Sequence, residues 1–157
     1  MREKFIYWLF RNTQRIYVKF KNQKAWEITS KELMNYPKDS LGFVLGNFLT
    51  KNSLELMPKI ENHDVFHVLT GYGTKIQDEI ALQYLCFGNG KNSLYSFGSL
   101  LVGIFLFPDY LNYYIKSYRL GKNCNQFYHF NYKKLLNYSL SEIREIIFNK
   151  QQILNIQ

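Results

Sequence analysis

Cysteine, proline and linker-like stretches are scarce in this chain. Its 157 residues include only 2 cysteines and 3 prolines. Two cysteines, Cys86 and Cys124, are too few for a disulfide framework or a cysteine-rich zinc site. No stretch rich in proline, glycine or serine divides the chain, and no internal repeat occurs. We therefore expect a single domain over residues 1–157, long enough to bury a hydrophobic core.

Long apolar runs are also lacking. The most apolar stretch, residues 97–107, is about half the length that a membrane-spanning helix requires. A buried core helix is the favoured interpretation of this stretch, and an element that contacts a membrane or lines a lipid site is the alternative. The hydrophobic share of 46% excludes a disordered chain.

Acidic residues are few, and the resulting positive charge is concentrated at one end. There are 12 acidic and 20 basic residues, for a net charge of +8. Residues 1–24, a basic aromatic segment, carry seven basic residues and one acidic residue. Three interpretations remain open: a terminal helix packed on the core, a segment on an anionic membrane surface, and nucleic-acid binding. No nucleic-acid motif occurs and the rest of the chain is nearly neutral, so we expect a membrane surface rather than nucleic acid.

Capping residues and helix breakers predict an all-α fold. Strand-like alternation is scarce, which favours a multi-helix bundle. Pro58 is placed as the first residue of one helix, Gly71 ends it, and Gly121 ends a later helix. The predicted helices span about residues 4–20, 30–34, 41–50, 58–70, 75–87, 92–107, 109–120 and 142–153.

The strongest local signal is the cluster of His63, Asp64 and His67. On a helix, His63 and His67 lie one turn apart and point the same way, and Asp64 is rotated by about 100° from His63. Two imidazoles and a carboxylate suit Zn²⁺, Fe²⁺ or Mn²⁺ better than Mg²⁺ or Ca²⁺. An ordinary helix-surface or capping role is the alternative.

Glu79 is a fourth candidate ligand on geometric grounds. The glycine break at 71–73 predicts an antiparallel helix hairpin, in which Glu79 lies level with the gap between the two histidines. We therefore predict one divalent metal ion on this hairpin, held by His63, Asp64, His67 and Glu79. Zinc, iron and manganese are the candidate ions.

These four residues carry a family resemblance. The pattern from His63 through Asp64 and His67, then eleven residues to Glu79, resembles the metal motif of the coenzyme Q biosynthesis family known as the fourth Coq protein. Three flanking segments look like parts of the same family, so that the resemblance spans about residues 30–150. These segments are Pro37-x-x-Ser40-Leu41-Gly42 with Phe48, Tyr118-x-x-Gly121-Lys122, and Leu140-Ser141-Glu142-Ile143-Arg144.

The resemblance implies an all-helical fold, a divalent metal usually described as zinc, and peripheral membrane association. It also implies a requirement in ubiquinone synthesis. Family members are viewed either as organisers of the biosynthetic enzymes or as acting at carbon one of the polyprenylated ring, by oxidative decarboxylation. By the same resemblance His63, Asp64, His67 and Glu79 are the metal ligands. The short chain without a transit-like leader leads us to expect a bacterial-type member, cytoplasmic and bound peripherally to the membrane.

Three functions follow from these observations. The first is a metal-dependent decarboxylase or hydroxylase of a prenylated aromatic lipid, and the second is a non-enzymatic isoprenoid-lipid-binding scaffold with a structural metal. The third, an HD-type phosphohydrolase, is disfavoured because no histidine precedes His63. The expected partners are an isoprenoid or quinone-like lipid, a second copy of the chain, or quinone-pathway enzymes. Candidate lipid-binding residues, for which ordinary packing is the alternative, are Phe97, Phe105, Tyr113 and Arg144.

Overall fold

A computed structural model describes residues 6, 12, 18, 19 and 21–156 of the chain. The predicted helix over 4–20 and most of the basic aromatic segment 1–24 lie outside these residues. The described residues form α-helices and no strand, apart from one isolated bridge between Ser40 and Ser139, so the all-α prediction is confirmed. The helices are α1 Ser30–Leu33, α2 Leu41–Lys51, α3 Glu61–Thr70, α4 Ile76–Gly88, α5 Leu94–Leu106, α6 Leu111–Asn123, α7 Tyr132–Leu135, α8 Leu140–Ile147 and α9 Lys150–Ile156, with a 3₁₀ turn at Pro108–Tyr110.

Side-chain caps set the starts of the first two helices, which begin at the predicted residues, 30 and 41. The Thr29 hydroxyl accepts a hydrogen bond from the Glu32 N–H, and the Glu32 carboxylate accepts one from the Thr29 N–H at 2.7 Å. Ser40 Oγ likewise accepts from the Phe43 N–H at 3.2 Å and begins α2. Each cap satisfies a backbone donor that the first helical turn leaves without a partner.

The start of α3 differs from the prediction. Pro58 lies in a turn that precedes the helix, in which the Ile60 N–H donates to the Met57 carbonyl at 3.1 Å. Lys59 adopts a left-handed conformation, with φ at 72°, which a right-handed helix cannot contain. The helix therefore begins at Glu61, three residues later than predicted.

The predicted last helix is divided in two. The first part, α8, ends before Phe148, whose backbone is extended. Asn149 then caps α9: its Oδ1 accepts from the Gln152 N–H at 2.9 Å, and Gln152 Oε1 accepts from the Asn149 N–H at 2.8 Å. This reciprocal cap competes locally with helix continuation, so the chain turns between the two helices.

The central helix α4 contributes to both hydrophobic clusters of the molecule. One cluster joins it to α2, α3 and α8 through buried side chains that include Phe66 and Leu85. The other joins it to α6 through Ile80 and Tyr114, and it also contains the buried Ile6. A helix held on two sides in this way is a rigid support for the residues on its first turn.

Helix α5 lies at the surface, so its interpretation as a buried core helix is wrong. Small residues, Ser96, Ser99 and Gly103, face inward, whereas Phe97 and Phe105 are 54% and 74% exposed. Among the described residues, no single helix combines the length and the apolar character needed to cross a membrane. Taken together, Leu94–Leu106 and Pro108–Asn123 have both, but they are bent by 104° relative to each other.

Candidate metal centre

A glycine turn brings the candidate ligands of two helices together. Gly71 ends α3 in the left-handed conformation, with φ at 73°, and its N–H donates to the His67 carbonyl at 2.8 Å. A glycine adopts this conformation without the steric cost that a side chain would add. The chain then reverses into α4, which carries Glu79 in its first turn.

The carboxylate of Glu79 faces both imidazoles. Its Oε2 lies 3.0 Å from His63 Nε2, and its Oε1 lies 3.3 Å from His67 Nε2. The two Nε2 atoms are 3.2 Å apart. The prediction that Glu79 lies level with the gap between the two histidines is therefore confirmed.

The spacing of these atoms suits a metal ion. Potential ligand atoms of all three residues lie within 4.8 Å of one another. In a tetrahedral zinc site, ligands about 2.0–2.2 Å from the ion are about 3.3 Å from each other. The observed separations of 3.0–3.3 Å match that value. Two imidazoles and a carboxylate are also the donor set that zinc, iron and manganese accept in proteins.

His67 is held in the orientation that a metal ligand needs. Its Nδ1 lies 3.1 Å from the Tyr72 carbonyl oxygen, which can only accept a hydrogen bond. Nδ1 therefore carries a proton, which leaves Nε2, on the side of Glu79, as the atom that would bind a metal. The ring of Phe48 stacks on the imidazole at 5.6 Å and restricts its rotation. Such a carbonyl partner commonly fixes the tautomer of a metal-binding histidine.

The electrostatics of the cluster favour the ligand forms of Glu79 and His63, but not that of His67. Burial disfavours a charged Glu79, but the charges and hydrogen bonds of His63 and His67 outweigh it and hold the pKa of Glu79 well below its usual range. Burial lowers the pKa of His63, although Glu79 opposes this shift. Burial also acts to lower the pKa of His67, but the hydrogen bond and charge of Glu79 raise it overall. An ionised carboxylate and a neutral imidazole are the forms that bind a metal.

Asp64 stands apart from this cluster. Its carboxylate is not among the atoms that converge within 4.8 Å, so its role as a ligand stays a prediction. Its Oδ2 is buried and has no hydrogen-bond partner in the part of the chain that the structure describes. Burial raises the pKa of Asp64 to about 7, and the charge of His67 opposes that shift. An unpartnered buried carboxylate oxygen beside this cluster is a further feature that a cation would stabilise.

The four candidate lipid-binding residues have separate surroundings. Phe97 and Phe105 project from the surface of α5. The Tyr113 hydroxyl donates to Asp78 Oδ1 at 3.0 Å, and its ring stacks on that of Tyr72. The Arg144 guanidinium donates to the last carbonyls of α3, those of Leu69 at 3.0 Å and Val68 at 2.8 Å. The lipid-binding role of these residues stays a prediction.

A cavity beside His63 is a feature that the sequence patterns did not predict. It has a volume of about 130 Å³. Lys91 reaches it from the turn that follows α4, and Lys21 reaches it from the chain before α1. The residues that line it include Lys21, Asn62, His63, Phe66, Gln83 and Lys91. The only sequence signal for it is the Gly88–Gly90 break, which places Lys91 directly after α4.

The comparisons with known proteins agree with the all-helical fold. The family model described as Coenzyme Q (ubiquinone) biosynthesis protein Coq4 matches residues 55–151, more than half of the chain and the part that contains all four candidate ligands. No curated protein matches the chain.

A crystal structure of a candidate ubiquinone biosynthesis protein from Nostoc punctiforme is similar, with a TM-score of 0.59 and 21% sequence identity. The similarity covers 75% of this chain and 66% of that one, so this chain spans just under two thirds of its neighbour's length. At this identity the likeness shows a shared fold. The family match extends over most of the chain, which therefore belongs to the Coenzyme Q (ubiquinone) biosynthesis protein Coq4 family.

Proposed function

We propose that this protein acts in ubiquinone biosynthesis as a metal-binding protein of the membrane surface. One divalent ion, with zinc favoured over iron and manganese, binds His63, His67 and Glu79, and Asp64 is the fourth ligand. The observation that carries the proposal is the convergence of the two Nε2 atoms and the Glu79 carboxylate at separations of 3.0–3.3 Å. The substrate is a prenylated aromatic precursor of the quinone.

The residues around the cluster suggest how a substrate is handled. His63 lines the adjacent cavity, so a molecule in that cavity lies next to the cluster. His67, buried and held by the Tyr72 carbonyl, is the fixed part of the site. A divalent ion there supplies a Lewis acid for a carboxylate or phenolate oxygen. The reaction proposed is oxidative decarboxylation at ring carbon one. CO₂ leaves, one oxygen atom of O₂ becomes the new hydroxyl and the other becomes water, an external donor supplies two electrons, and solvent supplies two protons.

The exposed face of α5 supports peripheral membrane binding. This helix contains no charged residue, and its exposed apolar side chains recur at helical spacing. Patches of this kind mark interaction surfaces. The neighbouring α6 carries Lys116, Arg119 and Lys122 and no acidic residue, which complements anionic lipid headgroups. We therefore assign this face to an anionic membrane on its cytoplasmic side.

A non-enzymatic scaffold with a structural metal is the second candidate function. It is favoured by the burial of His67, which is only 3% exposed, and by the buried oxygen of Asp64, which would complete a closed set of four ligands. A structural site of this kind stabilises the fold, so chelation would unfold the protein. In that case α5 would contact quinone-pathway enzymes or a second copy of the chain.

Metal analysis tests the proposal directly. Protein purified without chelators is expected to contain about one divalent ion per chain, measured by mass spectrometry of the metals. His63→Ala and His67→Ala should each remove it, whereas His129→Ala should keep it, because His129 is exposed and lies outside the cluster. A wild-type protein without metal, or equal loss in all three variants, would contradict the metal site.

Turnover separates the enzyme from the scaffold. Metal-loaded protein, a two-electron donor and O₂ are incubated with a prenylated phenol that carries a carboxyl group at carbon one. The enzyme predicts CO₂ release and a hydroxylated product, both lost in His63→Ala. An absence of turnover, together with a polyprenyl lipid that co-purifies with the protein and unfolding on chelation, would support the scaffold.

A further inference from the structure

The cavity beside His63 has the size and charge of a site for a small anion. Its volume of about 130 Å³ is roughly ten times the 10–15 Å³ that one water molecule needs. That volume suits the head group of a substrate rather than a long prenyl chain. Two ammonium groups, those of Lys21 and Lys91, line the cavity, and no carboxylate lines it among the described residues.

The positions of the two lysines bring like charges together. Burial, followed by the charge of Lys91, lowers the pKa of Lys21, and the charge of Glu61 opposes this shift. Glu61 does not line the cavity, and its Oε1 accepts a hydrogen bond from the Trp26 N–H at 2.8 Å. An anion placed in the cavity would relieve the repulsion between the two ammonium groups.

The remaining walls suit an aromatic ring with polar substituents. Phe66, Tyr95 and Tyr128 border the cavity, and the Lys91 ammonium lies 5.3 Å from the centre of the Phe66 ring. Gln83 is buried, and its Oε1 accepts from Ser96 Oγ at 3.0 Å, so its NH₂ group is the part that donates hydrogen bonds. The cavity therefore combines cations, an amide and aromatic surfaces.

We infer that Lys21 and Lys91 bind the anionic group of an aromatic acid in this cavity, beside His63. The inference deepens the proposed function and rests on it for the identity of the reacting molecule. The lysines are positioning residues: they hold the acid so that its anionic group lies next to the candidate metal ligands. Anion binding itself needs only the lysines, and metal-free protein is expected to show it.

The test uses 4-fluorobenzoate as the probe and metal-free full-length protein, with binding followed by ¹⁹F NMR. Lys21→Met and Lys91→Met should each weaken binding roughly tenfold or more, because each removes a charge-assisted contact. Lys91→Arg should retain most of the affinity. The control Lys51→Met, on the exposed end of α2, should bind as the wild type does. The neutral analogue 4-fluorobenzyl alcohol should bind weakly and equally to all variants.

Binding that is unchanged in the folded Lys21→Met and Lys91→Met proteins, or no saturable binding to the wild type, would overturn the inference. Circular dichroism checks the fold of each variant, and Lys91→Arg covers the case in which Lys91→Met does not fold. Zinc content is measured in parallel. Lysine-dependent benzoate binding in a protein that takes up no zinc when zinc is supplied would defeat the metal proposal alone, and a protein that binds zinc but shows no such benzoate binding would defeat this inference alone.

Discussion

Gly121 in α6 lies directly against the backbone of Leu85 in α4. A Cβ placed on Gly121 would overlap the Leu85 carbonyl oxygen, and one placed on Gly88 would overlap the Tyr118 carbonyl oxygen. Glycine on both helices lets the two backbones approach closely. Close to this contact, Asn89 Nδ2 donates to the Gly121 carbonyl at 3.0 Å. The predicted role of Gly121 as a helix end is therefore wrong, since α6 continues through it to Asn123.

This contact predicts that Gly121→Ala destabilises the fold. The added methyl group must separate two packed helices, and overpacking of this kind costs roughly 1–3 kcal/mol of the free energy of unfolding. Gly98→Ala is the matched control, because a Cβ there meets no atom of the described residues within 4 Å, and alanine should stabilise α5 by about 0.5–1 kcal/mol. Urea denaturation measures both changes. If both substitutions change the free energy of unfolding equally, the close contact between α4 and α6 does not limit the packing.

Arg144→Met should destabilise the protein in the absence of any lipid. The Arg144 guanidinium satisfies the carbonyls of Val68 and Leu69 at the end of α3, and its loss should cost roughly 1–2 kcal/mol. Arg119→Met, at an exposed position of α6, should change the stability little. Thermal unfolding compares the two variants. If Arg144→Met is as stable as the wild type but binds lipid more weakly, Arg144 instead has the lipid-binding role predicted from the sequence.

Asp64→Asn tests the fourth ligand. An amide is a poorer ligand than a carboxylate, so we expect zinc affinity to fall by about tenfold or more, measured by competition with a chelator. Asp39→Asn, at an exposed position before α2, should leave the affinity unchanged. If Asp64→Asn binds zinc as tightly as the wild type, the protein ligands are His63, His67 and Glu79 without Asp64.

Cys86 should be unreactive in the folded protein. Burial raises its pKa to about 11 from an ordinary value of 9, so the thiol stays neutral near pH 8. Because the folded state holds this proton more tightly, its stabilising effect is complete below pH 9 and is lost as the pH rises towards 11. Titration with a disulfide reagent at pH 8 should label Cys86 only after urea is added. Fast labelling of Cys86 in native Cys124→Ala protein would contradict its burial.

The exposed side chains of α5 should govern membrane binding. Phe97→Ser and Phe105→Ser should each weaken binding to anionic vesicles roughly tenfold, because each removes apolar surface that the bilayer would cover. Ile146→Ser is the control, since Ile146 is 61% exposed but lies on α8. Vesicle flotation measures the binding. If both variants float with vesicles as the wild type does, and Phe105→Ser dissociates a dimer of the protein, this face instead binds a second copy of the chain.

Features that depend on neighbours within one or two helical turns could be predicted from the sequence. Thr29 with Glu32, and Ser40, begin helices through hydrogen bonds that span three residues. The cluster of His63, His67 and Glu79 was also predictable, because helical spacing and one glycine turn determine its geometry. The family motif includes the same residues.

Features that depend on contacts between distant parts of the chain required the folded structure. Gly121 looks like a helix end until Leu85 is seen beside it. Lys21 and Lys91 are separated by seventy residues of sequence, and no periodicity predicts that they share a cavity. The sequence thus determined most of the helices and the candidate ligands that one turn brings together. Long-range packing decided how the helices meet, which face of α5 is exposed and which charges lie beside His63, because these depend on the shapes of surfaces far apart along the chain.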